Sequence, residues 1–244
     1  MRTRFIPFMV LFLCLWTQTT SAQTWTDLGK GLSYKKIMLP LESTNVTLHA
    51  LKLDPKKLRL RPIQSTTPAS VKSLAEAHKA LVVINANFFD TASKPLGLVV
   101  IDGKVTHPFK KISWWSIFCV KGDKASILHG NAYRDGLCDQ AVEAGPRLVT
   151  NGQIPQLKDE SSRKTAIGIT SDGKVVIVAT DGRLPIKKLA SLFQKSEAQG
   201  GLGCPNAINM DGGTSTQIYA NTSGFTLDIP SFIGVPVGLA VFRK

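Results

Sequence analysis

Short runs rich in β-branched residues recur along this chain, each bounded by turn residues, while helical periodicity is clear at only two places. That contrast predicts a sheet-dominated α+β fold. The predicted strands are Val46 to Leu53, Leu58 to Arg61, Leu81 to Ile84, Leu98 to Ile101, Ser113 to Val120 and Ala125 to Leu128. They continue with Thr165 to Thr170, Lys174 to Thr180, Ala207 to Met210, Thr216 to Tyr219 and Val237 to Phe242. The predicted helices are Val71 to Lys79, with Ser70 as N-cap, and Ile186 to Ala198, where Leu189, Leu192 and Phe193 share a face. The expected architecture is one domain with a large mixed β-sheet and a few helices. Asp102-Gly103 and Asp172-Gly173 lie between strand-like runs and read as two-residue hairpin turns.

The first residues set the expected compartment. Arg2 and Arg4 precede an apolar run from Phe5 to Trp16 and a small polar stretch with Thr20 and Ala22 at the cleavage positions. This reads as a secretory signal peptide over residues 1–22, leaving residues 23–244 as a secreted or periplasmic domain. Cys14 follows Leu13 rather than a small residue and belongs to the signal, not to a lipid attachment site. No later run approaches the roughly 20 apolar residues of a spanning helix, so no transmembrane segment is expected after signal removal. Of the cysteines that remain, Cys119 and Cys138 enclose a short loop and are the expected disulfide, with Cys204 free or alternatively paired.

The chain carries a formal charge of +13, and such a field favours anionic partners. Its basic residues fall in scattered pairs such as Lys35-Lys36 and Lys187-Lys188, without an aromatic stacking run, so nucleic acid is not the expected partner. The four histidines, His49, His78, His107 and His129, are isolated from one another and are not assigned a catalytic role.

Chemistry concentrates in five clusters. Asn209-Met210-Asp211-Gly212-Gly213-Thr214-Ser215-Thr216 sets a carboxylate, two glycines and three hydroxyls directly after the apolar Ala207-Ile208. Asp211 is thereby placed at a strand mouth, where the glycines let the backbone turn sharply and approach a ligand. The others are Asn85 to Phe89, Glu143 to Arg147, Arg163, and Asp181-Gly182-Arg183, all but Arg163 at predicted strand ends or turns. Together they offer three carboxylates (Glu143, Asp181, Asp211), three guanidiniums (Arg147, Arg163, Arg183) and three amides (Asn85, Asn87, Asn209). Guanidinium forks suit phosphate oxygens and amides suit sugar hydroxyls, so an anionic sugar fits the set. Gly212 and Gly213 add backbone donors, with Thr214 and Ser215 beside them. Phe88 and Phe89 read as core. Asp181 or Asp211 with backbone carbonyls could hold a divalent cation, Ca²⁺ or Mg²⁺, although no calcium-loop spacing is present.

In their order along the chain, Asn85 to Phe89, Gly145-Pro146, Arg163 with Ala166-Ile167-Gly168, Asp181-Gly182-Arg183 and Asn209 to Ser215 resemble the phosphodiester glycosidase family. The likeness runs from about Leu81 to the C-terminus. The chain departs from it at Ala86-Asn87, where many relatives carry glycines, and at Thr214, where a third glycine or a serine is common. The resemblance implies an exported hydrolase that cleaves between an anomeric sugar carbon and a phosphodiester oxygen. Asp211, Asp181 and Glu143 are then the candidate catalytic carboxylates, Arg163 and Arg183 the phosphate ligands, and Asn87 and Asn209 the groups orienting the sugar. The rival readings are a non-catalytic binding module for phosphorylated envelope glycans and a phosphodiesterase cutting P–O. Residues 23 to 79 are assigned no site.

Overall fold

The computed structural model describes residues 24–41 and 45–244, so the signal-peptide reading of residues 1–22 lies outside the described residues. Seven strands form one sheet in the order β1 (Thr26–Gly29), β2 (Leu32–Pro40), β3 (Asn45–Leu53), β14 (Val175–Thr180), β13 (Thr165–Ile169), β16 (Asn206–Asn209), β11 (Arg147–Val149). Five form a second, β7 (Lys104–His107), β6 (Val99–Ile101), β10 (Gln140–Ala144), β8 (Ser116–Lys121), β9 (Lys124–His129). Five form a third, β18 (Phe225–Ile229), β17 (Ile218–Thr222), β5 (Val82–Asn85), β19 (Val235–Arg243), β4 (Leu58–Ala69). A two-stranded ribbon pairs β12 (Ser161–Ser162) with β15 (Leu184–Pro185).

The fold is mainly β, and the single large mixed sheet expected from the sequence is replaced by several smaller ones in which every ladder is antiparallel. Wide twisted sheets curl or split so that their apolar faces can close on one another. Here the three main sheets close on one core, to which they contribute Leu51 and Ile177, Phe118 and Val142, and Ile84 and Leu239.

Strand alternation explains the runs that carry no polar residue. In β14, Val175, Ile177 and Ala179 enter the shared core, while Val176 and Val178 enter a second core with Leu189, Ala190 and Phe193 of α2 (Ile186–Gln194). Both faces of this strand are covered, so both parities are apolar. On the outer face of the third sheet, α1 (Val71–His78) buries Val71, Leu74 and Ala75. Its N-cap is Ser70, whose hydroxyl accepts the Ser73 N–H at 3.0 Å, and Lys79 ends it in the left-handed region at φ 55°.

The second helix stops at Gln194, earlier than its periodicity predicts. Ser196 opens a separate capped turn with Gln199. The chain then doubles back, so that Leu202 N–H and Cys204 N–H donate to the Leu192 and Phe193 carbonyls and satisfy the helix end. At Asp102-Gly103 both residues have positive φ (50° and 77°), as a two-residue hairpin requires. At Asp172-Gly173 only the glycine does, and the loop is longer, closed by Thr170 and Lys174. Cys119 and Cys138 are disulfide-bonded with Cα atoms 5.5 Å apart. Cys204 is a buried free thiol, its pKa pushed up to about 12 by burial. Among the described residues no helix is long and apolar enough to cross a membrane.

Candidate active site

Four strand ends meet at one edge of the core: the end of β5, the start of β13, the end of β16 and the turn between β10 and β11. Asn85, fully buried, ties three of them together. Its Oδ1 accepts the Thr165 hydroxyl (2.7 Å) and the Gln217 N–H (3.1 Å), and its Nδ2 donates to the Asp211 carbonyl (2.6 Å). Asp211 N–H donates to the Ala86 carbonyl at 3.1 Å, so the residue is fixed from two sides. Asn85→Ala leaves these partners buried without bonds, and is expected to cost about 3 kcal/mol in urea unfolding, well above an ordinary surface substitution.

The Asp211 carboxylate is half-buried and hydrogen-bonded by Ser215, and its Oδ1 accepts the Gly212 N–H at 2.9 Å. Burial raises its pKa to about 6, with those two bonds pulling the other way. A Cβ at Gly212 would lie 2.9 Å from the Arg163 carbonyl oxygen, and the same carbonyl accepts the Gly213 N–H at 2.9 Å. The loop can pass this close to β13 only because position 212 has no side chain.

Asp211 lines a cavity of about 330 Å³ together with Phe88, Trp114, Gly145, Pro146, Glu160, Ser162, Lys164, Asn209 and Gly212. Phe88 stacks on Trp115 at 5.2 Å, and Trp114 meets Trp115 edge-on at 5.7 Å, giving the cavity an aromatic side. Of the two phenylalanines read as core, Phe88 therefore also faces the cavity. Asn209 spends its Nδ2 on the Met210 and Gly145 carbonyls, while its buried Oδ1 has no partner. A larger cavity of about 410 Å³ lies where β13 ends, beside Thr170. Its charged groups are accounted for by contacts such as the Lys52–Glu197 ion pair, and it holds no buried carboxylate.

Lys164 is the residue that sequence reasoning missed. Its side chain is 1 % exposed and its ammonium makes one ion pair, to Glu160 at 2.6 Å, leaving donors for an anion. Ala166 of β13 pairs with Asn209 of β16, and Met210 N–H donates to the Thr165 carbonyl. By strand parity Lys164 lies on the face of Ala166 and Asn209, and with Asn209 and Asp211 it lines the cavity. The strand period carries this signal, because Lys164 and not Arg163 shares parity with the cavity. Arg163 points to the other side, where its guanidinium donates to the carbonyls of Thr180 (3.4 Å) and Pro230 (3.2 Å).

The remaining predicted residues surround the cavity without lining it. Glu143 is buried in β10, and its Oε2 accepts the N–H groups of Leu98 (2.7 Å) and Lys110 (3.0 Å). Desolvation raises its pKa against those two bonds and the nearby His107 and Lys110. It thereby anchors the segment leading to Trp114. Asn87 gives its Nδ2 to the carbonyls of Leu96, Leu98 and Glu143, and its buried Oδ1 is unpartnered. Arg147 donates to the Trp115 carbonyl at 3.1 Å. Asp181 is exposed and accepts the Thr47 N–H at 2.7 Å, and exposed Arg183 donates to the Ser161 carbonyl at 2.5 Å, bracing the ribbon beside Glu160 and Lys164. Thr214 is exposed, and its carbonyl accepts the Ser231 hydroxyl. Among the described residues no cluster of three or more His, Cys, Asp or Glu side chains could hold a metal ion.

The sequence family described as phosphodiester glycosidase matches residues 78–242, which include every residue of this cavity. The chain belongs to the phosphodiester glycosidase family. A relative of this phosphodiester glycosidase family member is the SPbeta prophage-derived uncharacterized protein YomE of Bacillus subtilis (strain 168), 27 % identical over 176 residues. That match covers 63 % of this chain and 26 % of YomE, so the chain spans about a quarter of that protein's length. In three dimensions it is similar to the catalytic domain of zebrafish N-acetylglucosamine-1-phosphodiester alpha-N-acetylglucosaminidase, a structure auto-inhibited by its pro-peptide. The TM-score is 0.70 at 18 % identity, over 91 % of this chain and 87 % of that one. A hypothetical protein from Synechocystis gives a TM-score of 0.64 at 15 % identity, over 91 % of this chain and 64 % of the other. At these identities the two structures show the fold alone.

Proposed function

We propose that this phosphodiester glycosidase family member is an exported hydrolase that breaks the bond between the anomeric carbon of a sugar and a phosphodiester oxygen. The observation that carries the reading is that buried Lys164 and half-buried Asp211 line one aromatic-sided cavity. The family and the zebrafish enzyme's activity on an N-acetylglucosamine phosphodiester support it. The Cys119–Cys138 disulfide supports export.

Phe88 and Trp114 receive the apolar face of the sugar, and Asn209 Oδ1 accepts a hydroxyl or amide hydrogen from it. Lys164 binds a non-bridging phosphoryl oxygen and stabilises charge as it develops on the leaving group. Ionised Asp211 takes a proton from water as the water oxygen bonds to the anomeric carbon. The carbon–oxygen bond breaks, and its electron pair leaves with the phosphate as a phosphomonoester. A phosphate needs little help from a general acid, so one carboxylate and one cation cover the demanding parts of the step. Glu143, Asn87, Arg147, Asp181 and Arg183 act in this reading as positioning residues that hold the cavity's segments, and Arg163 braces the loop behind it.

The direct test is to assay free reducing sugar from α-N-acetylglucosamine 1-phosphodiesters. Release supports the glycosidase, whereas binding without release returns the protein to the class of glycan-binding modules. Because the working form of Asp211 is ionised and its pKa is raised to about 6, kcat/KM should climb about tenfold per pH unit below that value and level off above it. A profile flat from pH 4 to 8, taken as an order-of-magnitude window around that pKa, contradicts the assignment.

A further inference from the structure

Two carboxylates line the Asp211 cavity, and the proposed step uses only one of them. The other, Glu160, sets its Oε1 2.6 Å from the Lys164 ammonium, the group assigned to the phosphate. The partners differ in setting: the Lys164 side chain is 1 % exposed and that of Glu160 is 53 % exposed. The lysine is fixed in the cavity wall, whereas the carboxylate lies on the water side of it.

The backbone beneath Glu160 is held. Its carbonyl accepts the Ile186 N–H at the start of α2 (3.0 Å), and Ser161, the next residue, opens β12 and gives its carbonyl to the Arg183 guanidinium (2.5 Å). Its other neighbour, Asp159, pairs elsewhere, with Lys187 at 2.9 Å. When Glu160 lets go of Lys164, only a side chain swings, and its charge stays close to the cavity.

Charge then decides which phosphate is held. A phosphodiester carries one negative charge, and a phosphomonoester carries about two above its second pKa of about 6. Among the described residues lining the cavity Lys164 is the one cation, and it shares the space with Asp211 and Glu160. It balances a diester. A monoester keeps a surplus charge against two carboxylates, where burial weakens screening.

We propose that Glu160 is a specificity-determining residue that sets this cavity to accept monoanionic phosphodiesters and to reject phosphomonoesters. The inference rests on the glycosidase reading and names the charge class of its substrate. An arriving diester displaces the carboxylate from Lys164. Once the carbon–oxygen bond breaks, the departing phosphomonoester holds the bond's electron pair and a second negative charge, so the return of Glu160 to Lys164 favours its release.

The test uses two ligands that cannot be cleaved, the α-C-glycosyl phosphonate of N-acetylglucosamine, with CH2 in place of the glycosidic oxygen, and its methyl ester. Calorimetry at a pH well above the second pKa of the free phosphonate compares a dianion with a monoanion on wild type, Glu160→Gln and Glu160→Asp. Gln keeps an oxygen that can accept from Lys164, so the variant removes charge and not the contact. Wild type should bind the methyl ester about tenfold or more tightly than the dianion. Glu160→Gln should bring the two within about threefold, chiefly by tightening the dianion, and Glu160→Asp should restore the preference. A preference that Glu160→Gln leaves unchanged, equal changes in both ligands, or no binding of either ligand by wild type overturns the proposal. Turnover of the methyl phosphodiester by wild type is scored separately. Its absence beside a Glu160-dependent preference for the monoanion rejects the glycosidase reading and upholds the charge selectivity of the cavity.

Discussion

Asp211→Asn should reduce kcat for a sugar 1-phosphodiester by about a thousandfold or more, while the dissociation constant of the same ligand changes by less than about threefold. The substitution keeps the shape of the side chain and an oxygen that can accept the Gly212 N–H, so the loop from Asp211 to Ser215 stays in place. What it removes is the ionisable group. The raised pKa of about 6 arises from burial, and the residue is held by Asn85 and Ala86 through its backbone, independently of the carboxylate. Steady-state kinetics beside calorimetric binding checks both halves. Parallel loss of turnover and binding would make Asp211 a binding residue, and near-normal turnover would remove it from the chemistry.

Lys164→Gln should lower kcat/KM for the phosphodiester by about a hundredfold or more, with a much smaller loss for an aryl glycoside whose leaving group carries no phosphate. A cation with 1 % of its side chain exposed is poorly screened, so its effect on a nearby phosphate is larger than that of a surface lysine. Folding should tolerate the change, because its partner Glu160 is 53 % exposed and returns to water when unpaired. Arg163→Gln is the control. Its guanidinium faces the Thr180 and Pro230 carbonyls, so it should act through loop stability, visible in a thermal melt, rather than through phosphate selectivity. The reverse pattern would return the phosphate to Arg163, where the sequence alone had put it.

That exchange between neighbours shows what can be read along a chain and what needs its pairing. Local pattern located the strand ends: Ala207-Ile208 lies in β16, and Asp211 follows at its mouth with the glycines needed for close approach to β13. Ser70 as a cap and the apolar run of β14 were legible for the same reason, since period and capping act within a few residues. The register of β13 against β16 was not. It joins residues about forty positions apart, and only that register assigns Lys164 to the cavity face and Arg163 to the opposite one.

Non-local pairing also hid the division into three sheets, because β4 meets β19 from the far end of the chain. The strand β2 escaped notice where Lys35-Lys36 interrupts its alternation, although Lys35 is buried, with its Nζ near the Gly201 carbonyl. Asp181-Gly182-Arg183 has the composition of a site. Its two charges bond to the backbone at Thr47 and Ser161, contacts that no spacing rule reveals.

The central claim, that water attacks carbon and not phosphorus, is tested most directly by turnover in oxygen-18 water with mass analysis of both products. The account predicts the label in the released sugar and none in the phosphomonoester. Label in the phosphomonoester, with unlabelled sugar, would contradict it and make the protein a phosphodiesterase.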